Sequence, residues 1–222
     1  TVDPIATAVY TVTVTNGNGC TDTDDVTVNV NQSCCGDPTN NLINSVGAIP
    51  ANTYTGTKNL NYDANVNGAV IFDDLDLLIA SGITITINNG GHLTITNGSV
   101  LKACGEMWQG IIIEDGGELT IEDGSIIEDA EIAVDAQSGS QFNIDDAEFQ
   151  RNFIGIHASD GDFSSSSVEN TTFGCLNTSG TAQAYSLKEP HASPAERSRF
   201  HIHLEDVTNF NIGSVGNSNN FA

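Results

Sequence analysis

Apolar and polar residues alternate in short runs along most of this chain, and residues that favour turns separate the runs. The first two runs are residues 8–15 and 21–30, which flank the segment Asn16-Gly17-Asn18-Gly19. Side chains on a strand point alternately to its two faces, so each run predicts a half-buried strand, and Asn-Gly predicts a hairpin turn. Two strands bury too little apolar surface to form a core alone. We therefore expect residues 1–31 to be the last strands of a domain that further strands complete, or else to dock on the rest of this chain.

From residue 52 onward, a longer repeat replaces the simple alternation. Equivalent units open at Leu93, Leu119, Phe142 and Phe163, with spacings of 26, 23 and 21 residues. Each unit holds three short apolar runs and three turns, which is typical of one coil of a parallel β-helix. The sequence therefore predicts that residues 52–222 form such a helix, with three short strands in each coil.

Stacked coils place equivalent side chains in ladders, and apolar ladders are expected to point into the core. We predict two inward ladders, Leu93/Leu119/Phe142/Phe163 and Ile111/Ile132/Ile154/Phe200. An aspartate in place of Ile132 or Ile154 would put an unpaired charge into the core, so either change is predicted to unfold the helix.

Residue composition favours the same fold class. The 21 Ile and 15 Val residues far outnumber the 11 Leu residues, and β-branched side chains suit strands better than helices. The 22 Gly residues suit tight turns. We therefore expect an all-β protein with almost no helix.

Residues 32–51 contain Gly36, Pro38 and Pro50, and they are predicted to link the hairpin to the β-helix.

The chain has five cysteines, an odd number. They include no Cys-x-x-Cys pair, so a zinc ribbon is not expected. Cys20 could pair with Cys34 or Cys35, or with a cysteine outside this sequence. Cysteine usage favours an exported, oxidising location over the cytosol.

The charge balance excludes several partners. Six basic residues against 29 acidic residues give a formal net charge of −23, so a nucleic-acid surface is not expected and anionic membranes would repel the chain. No apolar run approaches the roughly 18 residues that a membrane span needs. The sequence has neither an initial Met nor a signal peptide, which suggests an internal or processed piece of a longer protein.

Two segments resemble known modules of secreted bacterial proteins. The run YTVTVTNGNGC followed by DDVTVNV resembles the last two strands of the immunoglobulin-like repeats in large surface proteins of Bacteroidetes. The run MWQGIIIEDGGELTIEDGSIIEDA followed by FQRNFIGIHAS resembles the pectate-lyase-like right-handed β-helix modules of the same proteins. The resemblance implies an adhesin of the type IX secretion kind, exported to the cell surface. Function does not follow, because this fold hosts enzymes, adhesins and fibres alike.

Paired acids are the first candidates for chemistry. A polysaccharide hydrolase would need an acid pair, and the candidates are Asp73-Asp74 and Asp145-Asp146. However, Asp145-Asp146 occupies the same turn of its coil as Glu122-Asp123 does one coil earlier, which favours a structural role in the turn. A lyase would need a basic residue, and Arg151 is the one basic residue that lies on a regular coil next to acids. Stacked like charges also predict a calcium site, since calcium selects oxygen ligands. Its predicted ligands are Glu122, Asp123, Asp145 and Asp146.

His201 and His203 flank Ile202, so both imidazoles are predicted to point outward from the same strand. With His191 or Glu205 they could bind zinc or copper, although two surface histidines more often bind nothing. Trp108 could be a sugar platform, but it is more readily interpreted as the cover of a turn.

Residues 174–199 interrupt the repeat and are predicted to form an insertion loop. Lys188, Arg197 and Arg199 lie in it with Glu189 and Glu196, so its net charge is +1 and that of the rest is −24. Such a loop is suited to contact an acidic surface on a second copy or on an adjacent domain. Equally, it could be a mobile excursion.

These observations favour a non-enzymatic structural and adhesive module of a large secreted cell-surface protein or extracellular fibre. Its expected partners are adjacent domains of a longer chain, further copies of itself, and a glycan or another cell-surface ligand. Calcium is the one cofactor that the sequence suggests. The alternative is a carbohydrate-active β-helix enzyme, either a polysaccharide lyase or a hydrolase, which would need converging acids and a base.

Overall fold

The computed structural model describes residues 8–15, 17, 19, 21–28, 38–174, 187–192 and 198–221. Over these residues the chain is nearly all strand, and the helical element described is the three-residue 3-10 turn Pro38–Asn40. Within that part of the chain, no helix has the length and apolarity needed to cross a membrane. Two compact units divide the chain, Thr1–Cys34 and Cys35–Ala222.

The first unit is the predicted hairpin. Strands β1 (Ala8–Thr15) and β2 (Thr21–Val28) pair antiparallel, with Ala8 opposite Val28 and Thr15 opposite Thr21. Gly19 has a positive φ of 82°, as a tight turn between paired strands requires. The hairpin is thus confirmed, whereas its membership of an immunoglobulin-like domain stays a prediction.

The second unit is a parallel β-helix, as predicted. Its strands are β3 (Gly47–Ala48), β4 (Thr53–Leu60), β5 (Ala64–Val66), β6 (Ala69–Ile79), β7 (Thr84–Ile87), β8 (His92–Thr96), β9 (Val100–Ala103), β10 (Trp108–Ile113), β11 (Glu118–Ile121), β12 (Ser125–Glu128), β13 (Ala130–Ala136), β14 (Gln141–Asp145), β15 (Ala147–Gln150), β16 (Ile154–Ser159), β17 (Ser167–Glu169), β18 (Thr172–Gly174), β19 (Phe200–Glu205), β20 (Asn211–Ile212) and β21 (Asn220–Phe221).

These strands stack into three faces. Face A contains β8, β11, β14, β17 and β20, and face B contains β9, β12, β15, β18 and β21. Face C is a seven-stranded sheet of β3, β5, β7, β10, β13, β16 and β19. Strand β6 runs through both A and B, because it pairs with β8 over its first half and with β9 over its second. From β8 onward, the three strands per coil are therefore as predicted.

The predicted ladder on face A is correct for three of its four members. Leu93, Leu119 and Phe142 lie in register and are buried. Phe163 does not continue this ladder, because the backbone N–H of Phe142 donates to Ser166 Oγ at 3.1 Å. The ring of Phe163 enters the core from the preceding turn and packs 5.9 Å from that of Phe142. An aromatic side chain from a turn thus occupies space that the small serine leaves.

The predicted ladder on face C is wrong, because a bulge changes the register. Gly110 lies opposite Ile132, but Ile111 lies opposite Val134, so Ala133 is an extra residue in the strand. A Cβ on Gly110 would lie 1.6 Å from the carbonyl oxygen of Ile132, which explains why glycine occupies this bulge. The inward ladder is Ile111/Val134/Ile156/Ile202.

Ile132 and Ile154 therefore lie on the outer side of face C and are only half-buried, and Phe200 beyond them is exposed. The expectation that a charge at Ile132 or Ile154 would enter the core is overturned by this register. Strict alternation, on which that expectation rested, fails wherever two consecutive side chains point inward.

The start of the β-helix is covered by part of the predicted linker. Residues 38–50 lie within the second unit, and Leu42, Ile43 and Ile49 are buried in its core. Asn41 bridges to Asn59, and Gly47 and Ala48 form the first strand of face C. The linker predicted for residues 32–51 is consequently shorter, since its second half closes one end of the helix.

Candidate functional site

The acids predicted to bind calcium lie at the corner between faces A and B. Asp123 and Asp146 have φ values of 55° and 53°, in the left-handed region that residues other than glycine seldom adopt. Asp and Asn tolerate this region best, and the same corner carries Asp74, Asn97 and Asn170, all with positive φ. The backbone of the corner thus explains why acidic and amide residues recur there.

Hydrogen bonds between coils connect several of these side chains. Thr96 Oγ1 donates to Asp123 Oδ2 at 2.8 Å, and Asn170 Nδ2 donates to Asp145 Oδ1 at 2.6 Å. Within the described residues, no group of three or more His, Cys, Asp or Glu side chains is arranged to hold a metal ion. A calcium site formed by Glu122, Asp123, Asp145 and Asp146 stays a prediction.

A cavity of about 320 Å³ lies beside the same corner, in an earlier coil. Asp74 and Asp76 line it together with Gly56 and Thr57. Asp76 Oδ1 lies 2.9 Å from Lys102 Nζ. The Asp76 side chain is 42% exposed and the Lys102 side chain 34%. A carboxylate and an ammonium group therefore meet beside this cavity.

A buried charge cluster, which the sequence reasoning missed, lies at the corner between faces B and C. The Asp129 side chain is only 2% exposed and receives Arg151 Nε at 2.9 Å and Lys188 Nζ at 3.0 Å. Arg151 also pairs with Glu128. Burial alone would lower the pKa of Arg151, but the hydrogen bonds and charges of Asp129 and Glu128 outweigh it and raise that pKa. The Arg–Asp spacing of 22 residues, one coil, was the available sequence signal.

The described part of the insertion loop packs against its own β-helix. Lys188 pairs with Asp129, and His191 Nε2 lies 2.9 Å from Glu131 Oε2. The His191 ring also stacks on Phe153, with centroids 3.6 Å apart. Residues 187–192 thus form a latch that holds this part of the loop on the coil.

The interaction surface predicted for Lys188, Arg197 and Arg199 stays a prediction. Lys188 contacts Asp129 on its own β-helix. Arg199 lies over the Phe200 ring, with its guanidinium carbon 5.5 Å from the ring centroid. Arg197 lies outside the described residues, so its role in an interaction stays a prediction.

The two histidines of β19 point to opposite sides of face C, contrary to the prediction. His203 stacks on His157 on the outer side, and His157 Nδ1 lies 2.7 Å from Asp135 Oδ1. His201 lies near the inner ring of Phe173 and near Phe221, with centroids 6.0 and 5.9 Å away. The bulge again separates the two side chains, so they cannot share a metal ion.

Burial lowers the pKa of His201 below its ordinary value of 6.5. The unfolded chain therefore binds the proton more readily, and stability is lost as the pH falls through about 6.5. We expect thermal melts from pH 7.5 to 5 to show a steeper loss of Tm for the wild type than for His201→Gln. The matched control is His92→Gln, because the His92 side chain is 44% exposed. Parallel curves for wild type and His201→Gln would contradict this assignment.

Trp108 and Cys104 have structural roles in the same region. Trp108 is fully buried, and its Nε1 donates to the carbonyl oxygen of Glu128 at 2.9 Å, so it is not an exposed sugar platform. Cys104 is disulfide-bonded. The other four cysteines lie outside the described residues.

Comparisons with known proteins add no assignment to this geometry. No protein-family model, curated protein or solved structure matches the chain.

Proposed function

We propose that this chain is a non-enzymatic structural and adhesive module of a large secreted cell-surface protein. The observation that carries the proposal is the continuous apolar core, which runs through the stacked coils from Leu42 to Phe173. Coils joined by parallel pairing on all three faces resist bending, because any local opening breaks ladders on each face together. Such a β-helix is suited to act as a stiff spacer.

Three further features support this role. The acidic corners have a backbone explanation in their left-handed residues, so they need no catalytic one. A formal charge of −23 keeps the surface solvated. The disulfide at Cys104 favours an oxidising location outside the cytosol.

A carbohydrate-active enzyme is the alternative, and the cavity beside Asp74 and Asp76 is the observation that favours it. The test is to incubate the intact chain with polygalacturonate and with neutral polysaccharides, and to measure new reducing ends and unsaturated uronates. We expect no turnover above the rate of a heat-denatured sample. Turnover that Asp74→Asn abolishes, while Asp146→Asn preserves it, would replace the structural proposal with the enzymatic one.

A further inference from the structure

Three Asn-Gly pairs lie in turns of the β-helix, and the fold treats them differently. The pairs are Asn67-Gly68, Asn89-Gly90 and Asn97-Gly98, and all three asparagines are exposed. Glycine has no Cβ, so its main-chain nitrogen can approach the side-chain amide of the asparagine before it. The three pairs share this dipeptide and this exposure, so a difference in their reactivity has to come from their hydrogen bonds.

The first difference lies at the glycine nitrogen, which is the attacking atom. The N–H of Gly90 donates to the carbonyl oxygen of Gly116 at 2.9 Å, and the N–H of Gly98 donates to that of Asp123 at 2.8 Å. Within the part of the chain that the structure describes, the N–H of Gly68 forms no such bond. Two of the nitrogens must therefore lose a main-chain bond between coils before they can attack, whereas the nitrogen of Gly68 need not.

The second difference lies at the asparagine side chain, whose Cγ is the atom attacked. Asn88 Nδ2 donates a hydrogen bond to Asn67 Oδ1. When a nucleophile adds to Cγ, the negative charge develops on this oxygen, and a donor already aimed at it stabilises that charge. Asn88 is thus placed to assist attack on Asn67.

In the other two pairs, the side-chain nitrogen of the asparagine is the donor. Asn89 Nδ2 donates to the carbonyl oxygen of Asp115, and Asn97 Nδ2 donates to Asp73 Oδ1, both at 3.1 Å. These bonds hold the leaving nitrogen in place, and the carboxylate of Asp73 repels the negative charge that would develop on Asn97. Both features of these pairs oppose the attack that the turn at Asn67 permits.

We propose that Asn67-Gly68 is a deamidation site of the folded chain. The nitrogen of Gly68 loses its proton to hydroxide and bonds to Cγ of Asn67, and the negative charge passes to Oδ1 beside Asn88. The Cγ–Nδ2 bond then breaks, and ammonia leaves with a proton from water. The product is a five-membered succinimide, which water opens at either carbonyl carbon to give aspartate or isoaspartate.

Isoaspartate changes the main chain of a turn that is held on both sides. The turn joins β5 to β6, and the next coil bonds to it through the N–H of Asn88 on Val66 O and the N–H of His92 on Gly68 O, both at 3.0 Å. Aspartate keeps the length of the main chain, whereas isoaspartate adds one methylene to it. The isoaspartate form is therefore expected to have a lower Tm than the Asn67→Asp variant. The site does not depend on the proposed structural role.

The test is to incubate the intact chain at mildly alkaline pH and to follow each pair by proteolysis and mass spectrometry. Peptides with aspartate and isoaspartate are separated by their retention times. We expect Asn67 to convert about tenfold faster than Asn89 or Asn97, because the glycine nitrogens of those pairs must first lose a hydrogen bond. In the same chain under denaturing conditions, the three rates should become similar, because the hydrogen bonds are gone.

Two variants test the groups at the site. Gly68→Ala should slow conversion at Asn67, and the added Cβ fits the fold because it would lie 3.8 Å from that of Ala51. Asn88→Asp keeps the shape of the side chain but removes the donor, and it should also slow conversion. Asn143→Asp is the matched control, the same change at another exposed asparagine, and should leave the rate unchanged.

Three results would overturn the proposal. One is conversion at equal rates in the three pairs of the folded chain. Another is the same order of rates in the denatured chain, since the sequence rather than the fold would then set it. The third is an unchanged rate at Asn67 in Asn88→Asp.

Discussion

Replacing Ile156 with aspartate is expected to unfold the β-helix. Ile156 is fully buried in the inward ladder of face C, between Val134 and Ile202. The change removes a large apolar side chain and leaves an unpaired carboxylate in the core, at a cost of about 4 kcal/mol or more. We expect the far-ultraviolet strand signal to be lost at a temperature at which the wild type keeps it.

Ile154→Asp is the matched control, with the same substitution two residues away on the same strand. The Ile154 side chain lies on the outer side of face C and is only half-buried. We therefore expect this variant to remain folded with a modestly lower Tm. The reverse outcome, with Ile154→Asp unfolded and Ile156→Asp folded, would contradict the register described for face C.

Replacing Asp129 with asparagine is expected to be the second most damaging change. The carboxylate is nearly inaccessible and is shared by Arg151 and Lys188, so its loss leaves two cations without their common partner. Removing one partner of a buried ion pair costs about 3–5 kcal/mol, and the partial exposure of both cations reduces this to about 2–4 kcal/mol. Asparagine tolerates the φ of 62° at this position, so the variant isolates the charge.

Chemical denaturation gives the change in the free energy of unfolding, and hydrogen exchange gives the local effect. We expect faster exchange at residues 187–192, because Lys188 no longer holds the latch on the coil. Asp123→Asn is the control, since it also removes a carboxylate from a left-handed corner residue, but at an exposed site. If both variants lose the same stability, the buried cluster has no special role.

Much of the fold could be predicted from the sequence because its signals are local and repeated. Asn-Gly between two alternating runs indicates a hairpin whatever surrounds it, and β1 and β2 pair accordingly. The ladder of Leu93, Leu119 and Phe142 follows from the period of the repeat. Ladder formation needs only that each coil stack on the last in the same register.

The errors arise where the structure departs from periodicity. Opposite Gly110 a bulge adds Ala133 to the next strand, and every later inward position on face C shifts by that residue. This shift places Ile132 on the outer side of face C and turns the His201 ring toward Phe173 and Phe221. A single glycine in an apolar run gives too weak a signal to locate a bulge from one sequence.

The charge cluster was missed for a different reason. Asp129 and Arg151 are one coil apart and could have been paired from their spacing, but Lys188 arrives from a loop outside the repeat. Glu122 and Asp145 were predicted as calcium ligands because carboxylates stacked in adjacent coils repel each other and a bound cation would reduce that repulsion. Hydrogen bonds such as that from Asn170 to Asp145, and the left-handed corner beside them, give those positions a structural role that sequence spacing does not reveal.

A stiff β-helix holds its two ends at a fixed separation, which can be measured as a distance distribution between them. Val46 in the first coil is 66% exposed, and Val215 in the last coil is fully exposed. Both can therefore be replaced by spin-labelled non-natural residues. The seven strands of face C give six spacings of about 4.8 Å, or about 29 Å along the helix axis. We expect one narrow distribution near that span, unchanged by mild denaturant. A broad or bimodal distribution under native conditions would contradict a stiff structural module.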